Sequence, residues 1–372
     1  MDKDELRAWL RLSLTEGVGN ETARQLLACF GSPQAVFEQT AATLCQVVSA
    51  QQARALLSLP NELAVQCVRT HQWLMQQPNS HTHALWTLGD VHYPNELLQL
   101  PDPPLMIYVS GQTEHTLGQA VAVVGSRNPT PQGAQTAAHF GEALSAAGVC
   151  VISGLALGID GAAHTGALRA HAALPTQWRT VAIVGTGLDR VYPSKHQALA
   201  QHIAIHGVLM SEYHLGTPPL AHNFPKRNRL IAALGLGTLV VEAALKSGSL
   251  ITAKMALELG REVLAIPGSI HAPQSHGCHA LIRQGAKLVE STQDVLEELQ
   301  LQAHPHTMTH PIVNNVAPPL LAHLGYDPVS LDALQARCGL ETAALQAQLL
   351  TLELEGVVGR LPGGLFQRLS TT

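Results

Sequence analysis

The chain's strongest candidate for a binding site is a short run of basic and amide side chains, NFPKRNR, at residues 223–229. Four members of the run can donate hydrogen bonds to phosphates, namely Lys226, Arg227, Asn228 and Arg229. Phe224 offers an aromatic face on which a base can stack. The run leads directly into the apolar segment LIAALGLG, so we expect it at a helix start against the core. This combination predicts contact with a single-stranded polyanion.

A glycine-centred loop, Gly125-Ser126-Arg127, follows the apolar run AVAVV and predicts a second group of phosphate contacts. It can present backbone N–H groups, a hydroxyl and a forked guanidinium. Asp160, in the loop SGLALGIDGAAH, stands where the following helix needs an N-cap, and we expect it to cap that helix. Further loop positions are expected to support the site, namely Gly154, Gly185 and Gly187.

A third anion site is predicted where Gly248 and Ser249 lead into the helical pattern LITAKMALELG, with Thr252 in its first turn. The N-terminus of such a helix binds anions through its unpaired N–H groups and its dipole. Lys246 and Lys254 add positive charge nearby.

The elements that must position these loops alternate between short apolar runs and helical stretches from about residue 85 to 300. The runs are AVAVVG, VCVISG, TVAIVG, VLMSE, TLVVEA, EVLAIPG and AKLVE. Continuous apolar strands that alternate with helices indicate a parallel sheet covered on both faces. We therefore predict an α/β fold with a doubly wound, mostly parallel, Rossmann-like sheet, whose ligands bind beyond the carboxyl ends of the strands.

Smaller units flank this domain. Residues 1–84 have helical spacing and contain a Gly17-Val18-Gly19 turn of the kind found in helix-hairpin-helix or SAM-like units, so we expect a small all-α domain. Whether that turn touches DNA or only joins two helices stays open. Residues 301–319 are rich in Pro, His and Asn and are expected to be a linker, with His304, His306 and His310 solvated and not metal ligands.

Residues 320–372 contain three helical patterns and a hairpin turned at Pro362-Gly363-Gly364, which together predict a winged helix. Between Ser330 and Gly356, Arg337 is the one Lys or Arg against four acidic residues. A helix that reads duplex DNA is expected to be basic. The pattern therefore favours a protein-interaction role for this domain.

The overall charge of −5 argues against a nucleic-acid binder unless the cations cluster on one face. We expect that clustering, with Arg261 and the other cations of residues 226–261 at the same sheet edge as Arg127. The six scattered cysteines, the lack of a signal-peptide pattern and the absence of an apolar run of about 18 residues predict a cytoplasmic protein without a metal or a membrane span.

Two enzyme hypotheses remain beside binding. The sequence AIVGTGLDR begins like a dinucleotide-binding motif with Glu212 ending the next strand, but Arg190 replaces the third glycine. The other hypothesis is a nucleotide hydrolase of the lysine-decarboxylase-like class, in which Glu242 and Glu212 act as general acid or base.

Across residues 120–290 the motifs VAVVGSR, SGLALGIDGAAHTGAL, GTGLDRVYP, FPKRNRLIAAL, VVEAALKSGSLITAKMALELG and HGCHALIRQGA resemble, in order and spacing, the DprA/Smf family of DNA-processing proteins. The flanking regions also resemble the flanking domains of that family. The resemblance implies a protein of natural transformation that binds and protects single-stranded DNA and loads RecA recombinase onto it. It further implies a homodimer formed through the Rossmann-like domain, no cofactor and no catalytic reaction. Phosphate binding is carried over to the glycine loop, to the basic run and to Gly248 and Ser249, and base contact to Phe224.

Overall fold

Helices fill the first part of the chain. The computed structural model describes residues 1–76, 78, 80–170, 176–302, 319–325, 327–361 and 363–369. The N-terminal helices are α1 (Lys3–Leu14), α2 (Asn20–Phe30), α3 (Pro33–Phe37), α4 (Ala41–Leu44), α5 (Ala50–Leu57) and α6 (Leu63–Met75). Gly17 adopts a φ of +74° in the turn between α1 and α2, and its carbonyl accepts a hydrogen bond from Gln52 on α5. Its positive φ explains why this turn needs glycine.

The central region is a nine-stranded sheet in the order β1-β2-β6-β5-β4-β3-β7-β8-β9. Its strands are β1 (Thr82–Thr87), β2 (Met106–Gly111), β3 (Ala120–Val124), β4 (Cys150–Ser153), β5 (Thr180–Ile183), β6 (Val208–Ser211), β7 (Gly237–Val240), β8 (Glu262–Ala265) and β9 (Lys287–Leu288). From β6 to β9 every neighbouring pair is parallel. Each of the seven apolar runs in the sequence forms one of these parallel strands, which confirms the predicted sheet.

Two strands lie outside the predicted series. β1 and β2 pair with each other antiparallel, and β2 continues antiparallel onto β6. No α-helix lies between β1 and β2, so the alternation of strands and helices that marks the other strands is missing here. β2 also joins the N-terminal region to the sheet, because the hydroxyl groups of Tyr108 and Thr70 on α6 lie 3.0 Å apart.

Helices cover both faces of the sheet: α7 (Pro131–Ala146), α8 (Ile159–Arg169), α9 (Gln197–His206), α10 (Asn223–Leu234), α11 (Ser249–Glu258), α12 (His276–Arg283) and α13 (Thr292–Glu298). Alternate residues of β3 enter two different cores. Ala122 packs with the side chains of α10 and α11, and Val121 packs with those of α7 and α8. After β3 the chain adds β4, β5 and β6 on one side of β3, and it then adds β7 on the other side. A topological switch point therefore lies between β3 and β7.

The C-terminal unit is a winged helix, as predicted. It consists of α14 (Pro319–His323), β10 (Val329–Ser330), α15 (Leu331–Cys338), α16 (Thr342–Leu354), β11 (Val358–Leu361) and β12 (Leu365–Arg368), with the strands ordered β10-β12-β11. Gly363 and Gly364 turn the hairpin with positive φ, whereas Pro362 lies outside the described residues. Residues 303–318, which include the three linker histidines, also lie outside them.

Among the described residues, no helix is long and apolar enough to cross a bilayer. The same residues contain no group of three or more His, Cys, Asp or Glu side chains arranged to hold a metal ion.

Candidate nucleic-acid interface

An open cleft of about 700 Å³ lies at the switch point, beyond the carboxyl ends of the parallel strands. Its walls come from the loops that follow β3, β4, β5, β6 and β7. The residues predicted from sequence that line it are Gly125, Ser126, Arg127, Asp160, Phe224, Arg227, Asn228, Gly248, Ser249 and Thr252. Five separate loops therefore converge because the ends of parallel strands share one edge of the sheet.

Aromatic rings and an exposed cation meet on one side of the cleft. Phe224 is half-buried, and its ring lies 5.5 Å from the ring of Tyr192, centroid to centroid. The guanidinium carbon of the exposed Arg127 lies 5.6 Å from the Phe224 ring centroid. The arrangement presents a cation beside ring surface, which suits a phosphate next to its base.

Backbone hydrogen bonds hold the first glycine loop in place. The Ser126 N–H donates to the Glu242 carbonyl at 2.7 Å, and the Ser126 carbonyl accepts from the Ile159 N–H at 3.0 Å. At Gly125 a Cβ would lie 2.6 Å from Ile159 Cγ1, so the loop approaches α8 too closely for a side chain. The Ser126 N–H is therefore already used, and the hydroxyl oxygen accepts from the Asn128 N–H at 3.1 Å, so the hydroxyl proton is what this residue can donate to a ligand.

The N-terminus of α11 forms another wall. Gly248 is the N-cap, and Ser249 and Thr252 are buried in the first turn. The first three N–H groups are not unpaired as predicted, because those of Ser249 and Leu250 donate to the Ser247 hydroxyl and carbonyl and that of Ile251 donates to the Gly248 carbonyl. The hydroxyl oxygens of Ser247 and Ser249 lie 2.7 Å apart. Lys246 is exposed and lines the same cleft. This wall therefore combines a helix dipole with a free ammonium group.

Arg227 is buried below the cleft, and its guanidinium is bonded to the protein. Its Nη1 donates to the Gly154 carbonyl at 2.6 Å and also to the Ile183 carbonyl, and its Nε donates to Asn228. Burial lowers the pKa of Arg227 to about 10, which leaves it charged at neutral pH. The arginine thus ties the ends of β4 and β5 together from beneath the floor of the cleft.

Asp160 does not cap α8, contrary to the sequence prediction. Gly158 is the N-cap, and Asp160 lies inside the helix, where its carboxylate accepts from the Gly154 and Ala156 N–H groups at 3.2 and 3.4 Å. Burial raises the pKa of Asp160, and the Arg227 charge and these N–H groups oppose that rise. The cap prediction was wrong because the helix starts two residues earlier, on a glycine with a φ of +81°.

Two predicted cations point away from the cleft. Arg229 donates to Glu212 at 2.6 Å and to Asp102 at 3.1 Å, and its side chain is 9% exposed. Lys226 lies 4.0 Å from Glu212 and near the Tyr213 ring. Neither residue lines the cleft.

The supporting glycines make room for neighbouring side chains. At Gly185 a Cβ would lie 3.1 Å from the Phe224 ring, and at Gly154 it would collide with the Arg227 guanidinium. At Gly187 it would lie 2.5 Å from the Asp189 carboxylate. A larger residue at any of these positions would displace its neighbour.

The two glutamates of the enzyme hypotheses are engaged in protein contacts. Glu242 accepts from the Thr130 N–H at 2.9 Å and from its hydroxyl at 2.5 Å, at the start of α7. Glu212 is bonded to Arg229 as described. Burial raises the pKa of both carboxyl groups, and their hydrogen bonds counteract the rise. Both residues therefore stabilise the loops around the cleft.

Sequence reasoning missed Tyr192 as a cleft residue and placed Arg261 wrongly. Tyr192 follows the GTGLDR loop, and an aromatic residue directly after a glycine loop was a usable signal. Arg261 precedes β8, so it lies at the amino edge of the sheet, where it donates to Gln99 and the Ala233 carbonyl. Only residues that follow a parallel strand reach the carboxyl edge.

The fold and the cleft together define a Rossmann-like domain that is joined to a winged helix and whose glycine-lined cleft carries exposed cations. The profile of the family described as DNA recombination-mediator protein A matches residues 84–300, and that of the DprA winged helix domain matches residues 304–364. The chain is 38% identical to Protein Smf of Escherichia coli over 372 residues, which covers 96% of this chain and 94% of that protein. The chain belongs to the DprA/Smf family of DNA-processing proteins.

Two solved structures agree with this assignment. The crystal structure of DNA processing protein A from Streptococcus pneumoniae aligns with a TM-score of 0.65 and 34% identity, over 80% of this chain and 98% of that one. The Helicobacter pylori protein of the same name aligns with a TM-score of 0.52 and 29% identity, over 60% of this chain and 97% of that one.

Proposed function

We propose that the cleft binds single-stranded DNA without sequence preference. The observation that carries this proposal is the convergence of Arg127, Lys246 and the α11 N-terminus on one cleft that also holds the rings of Phe224 and Tyr192. Phosphate contacts and ring stacking carry no base-edge information, so such a site accepts any sequence. The structural study of the Helicobacter pylori relative describes its single-stranded DNA binding mode, which supports the same ligand here.

The buried arginines have a different role in this proposal. Arg227 holds the ends of β4 and β5 in place below the cleft. Arg229 and Lys226 instead face Glu212 and make no contact in the cleft. Binding, and not catalysis, is the favoured activity because Glu212 and Glu242 are both held by protein hydrogen bonds.

The family relationship extends the proposal to a role in the cell. We propose that the protein protects incoming single-stranded DNA during natural transformation, acts as a dimer through its Rossmann-like domain, and loads RecA recombinase. Sedimentation velocity tests the dimer, and RecA filament assembly on DNA coated by the single-strand-binding protein tests the loading.

Fluorescence anisotropy with a labelled oligothymidine tests the cleft itself. Replacing Arg127 with Ala should weaken binding by about tenfold and reduce the steepness of the salt dependence by roughly 0.7, the value expected for one lost phosphate contact. Arg54→Ala, at an exposed arginine of α5, is the matched control and should bind normally. Equal affinities and equal salt slopes for the two variants would refute the assignment. Duplex DNA and free nucleotides should compete poorly.

A further inference from the structure

Helix α16 of the winged helix is apolar on two opposite faces. Its inward face contributes Leu345, Leu349 and Leu352 to the core of the domain. Its outward face has an apolar stripe at helical spacing, which consists of Ala343, Ala347, Leu350 and Leu354. Leu350 is 57% exposed and Leu354 is 81% exposed. Contiguous exposed apolar side chains commonly mark a contact surface, yet nothing within the described part of the chain covers this stripe.

The charged residues of α16 and its immediate flanks are acidic. In α16 and its immediate flanks there is no Lys or Arg, whereas Glu341 stands before the helix and Glu353 and Glu355 lie at its end. In a winged helix that reads duplex DNA, the corresponding helix enters the major groove and needs cations. The acidic charge of α16 opposes that use and favours a basic protein partner.

The hairpin of the winged helix is also engaged with the protein. Gln367 Nε2 donates to Gln132 Oε1 on α7 at 2.7 Å, and at Gly359 a Cβ would lie 2.8 Å from the Pro131 ring. The domain therefore packs on α7 through its hairpin, while the stripe on α16 remains open to solvent.

A groove beside the stripe enlarges the available surface. It has a volume of about 420 Å³ and lies between α14 and the flank of α16, with Leu320, Leu340 and Leu352 among its apolar lining and Glu355 beside them. An elongated partner laid along α16 can pack on the stripe and enter this groove.

We propose that the outward face of α16 docks an amphipathic segment of a partner protein, with large apolar residues on one face and Lys or Arg beside them. The apolar residues pack on Leu350 and Leu354, and the cations pair with Glu353 and Glu355. A second copy of α16 is a poorer occupant, because its own acidic ends would face these acidic residues without any cation.

A synthetic helical peptide of leucine and lysine, about 18 residues or roughly 27 Å long, serves as the probe against the full chain. We expect the double variant Leu350→Gln, Leu354→Gln to bind this peptide about tenfold more weakly than the unaltered protein. Val65→Gln with Val68→Gln is the matched control, since these α6 residues are 58% and 57% exposed. Circular dichroism and thermal midpoints verify that each variant is folded.

Charge variants test the second half of the proposal. Glu353→Gln with Glu355→Gln should weaken the leucine–lysine peptide at low salt, whereas Glu16→Gln with Glu21→Gln, at exposed N-terminal positions, should not. A leucine–glutamate peptide of the same pattern should not bind.

Three results overturn the proposal: equal peptide affinity for the stripe variant and its control, self-association that the stripe variant abolishes, or duplex DNA affinity that it abolishes. Single-stranded DNA binding should be the same in all of these variants, because the cleft contains none of the altered residues. The docking surface and the proposed DNA cleft are thus tested separately.

Discussion

Replacing Arg227 with Met separates a structural role for this residue from direct contact with DNA. Arg227 is 3% exposed, and its guanidinium donates to the carbonyls of Gly154 and Ile183. Its charge also lies close enough to Asp160 to affect the ionisation of that carboxyl. Methionine fills a similar volume but supplies no donor and no charge. We therefore expect the variant to lose stability before it loses any specific ligand contact.

The size of the loss follows from the groups left without partners. Each buried carbonyl that loses its donor costs about 1–3 kcal/mol. Arg227 and Asp160 form no direct ion pair, so losing the guanidinium charge adds only a smaller cost, through its longer-range influence on the Asp160 carboxylate. Protonation of Asp160 relieves part of this, because burial already raises the pKa of that carboxyl. We expect a net loss of about 4 kcal/mol, which lowers the melting temperature of a domain of this size by about 10 °C.

Differential scanning calorimetry measures the melting temperature, and anisotropy at a temperature where both proteins are folded measures DNA binding. Arg127→Met is the control, because Arg127 is exposed and its replacement should change binding and leave the melting temperature unaltered. The double variant Arg227→Met, Asp160→Asn should lose less stability than the sum of the single variants. An Arg227→Met protein with an unaltered melting temperature and no DNA binding would refute the reasoning and make Arg227 a ligand contact.

Two further predictions concern ring placement and pH. Gly185→Ala puts a Cβ 3.1 Å from the Phe224 ring. The ring must move, so DNA affinity should fall about fivefold, for a cost of about 1 kcal/mol. At Gly19 an added Cβ meets no atom within 4 Å, so Gly19→Ala should bind normally, and equal affinities would show that the ring position is unimportant. Burial lowers the pKa of His164 to about 3. The folded state therefore favours the neutral imidazole. The contribution of His164 to the free energy of unfolding is fully present above the unfolded pKa of about 6.5, and it should fall by about 2 kcal/mol at pH 5. Urea unfolding from pH 7.5 to 5 measures this. His164→Asn should reduce the dependence, although His214, whose pKa burial lowers to about 4, keeps its own share. His202→Gln, at an exposed site, should leave the dependence unchanged.

Local patterns were sufficient to predict the parallel sheet and the location of the cleft. Seven apolar runs, each followed by small or polar residues, became seven parallel strands, and their carboxyl ends meet at one edge of the sheet. The pattern failed for β1 and β2, because an antiparallel pair at the edge of a sheet needs no crossover helix and leaves no alternation to detect. Asp160 was misassigned because the start of a helix is set by backbone geometry, here at Gly158, as much as by residue type.

The sequence by itself determined which loops line the cleft, because the order of strands and glycine loops along the chain fixes which segments reach the carboxyl edge. The tertiary structure decided which cations face the cleft. Lys226 to Arg229 lie on α10, where consecutive side chains point about 100° apart, so a run of basic residues cannot face one cleft together. Arg227 turns inward to buried carbonyls and Arg229 turns to Glu212, while Arg127, distant in sequence, stands exposed beside the Phe224 ring. Those directions depend on buried partners from other strands, which no local pattern reveals.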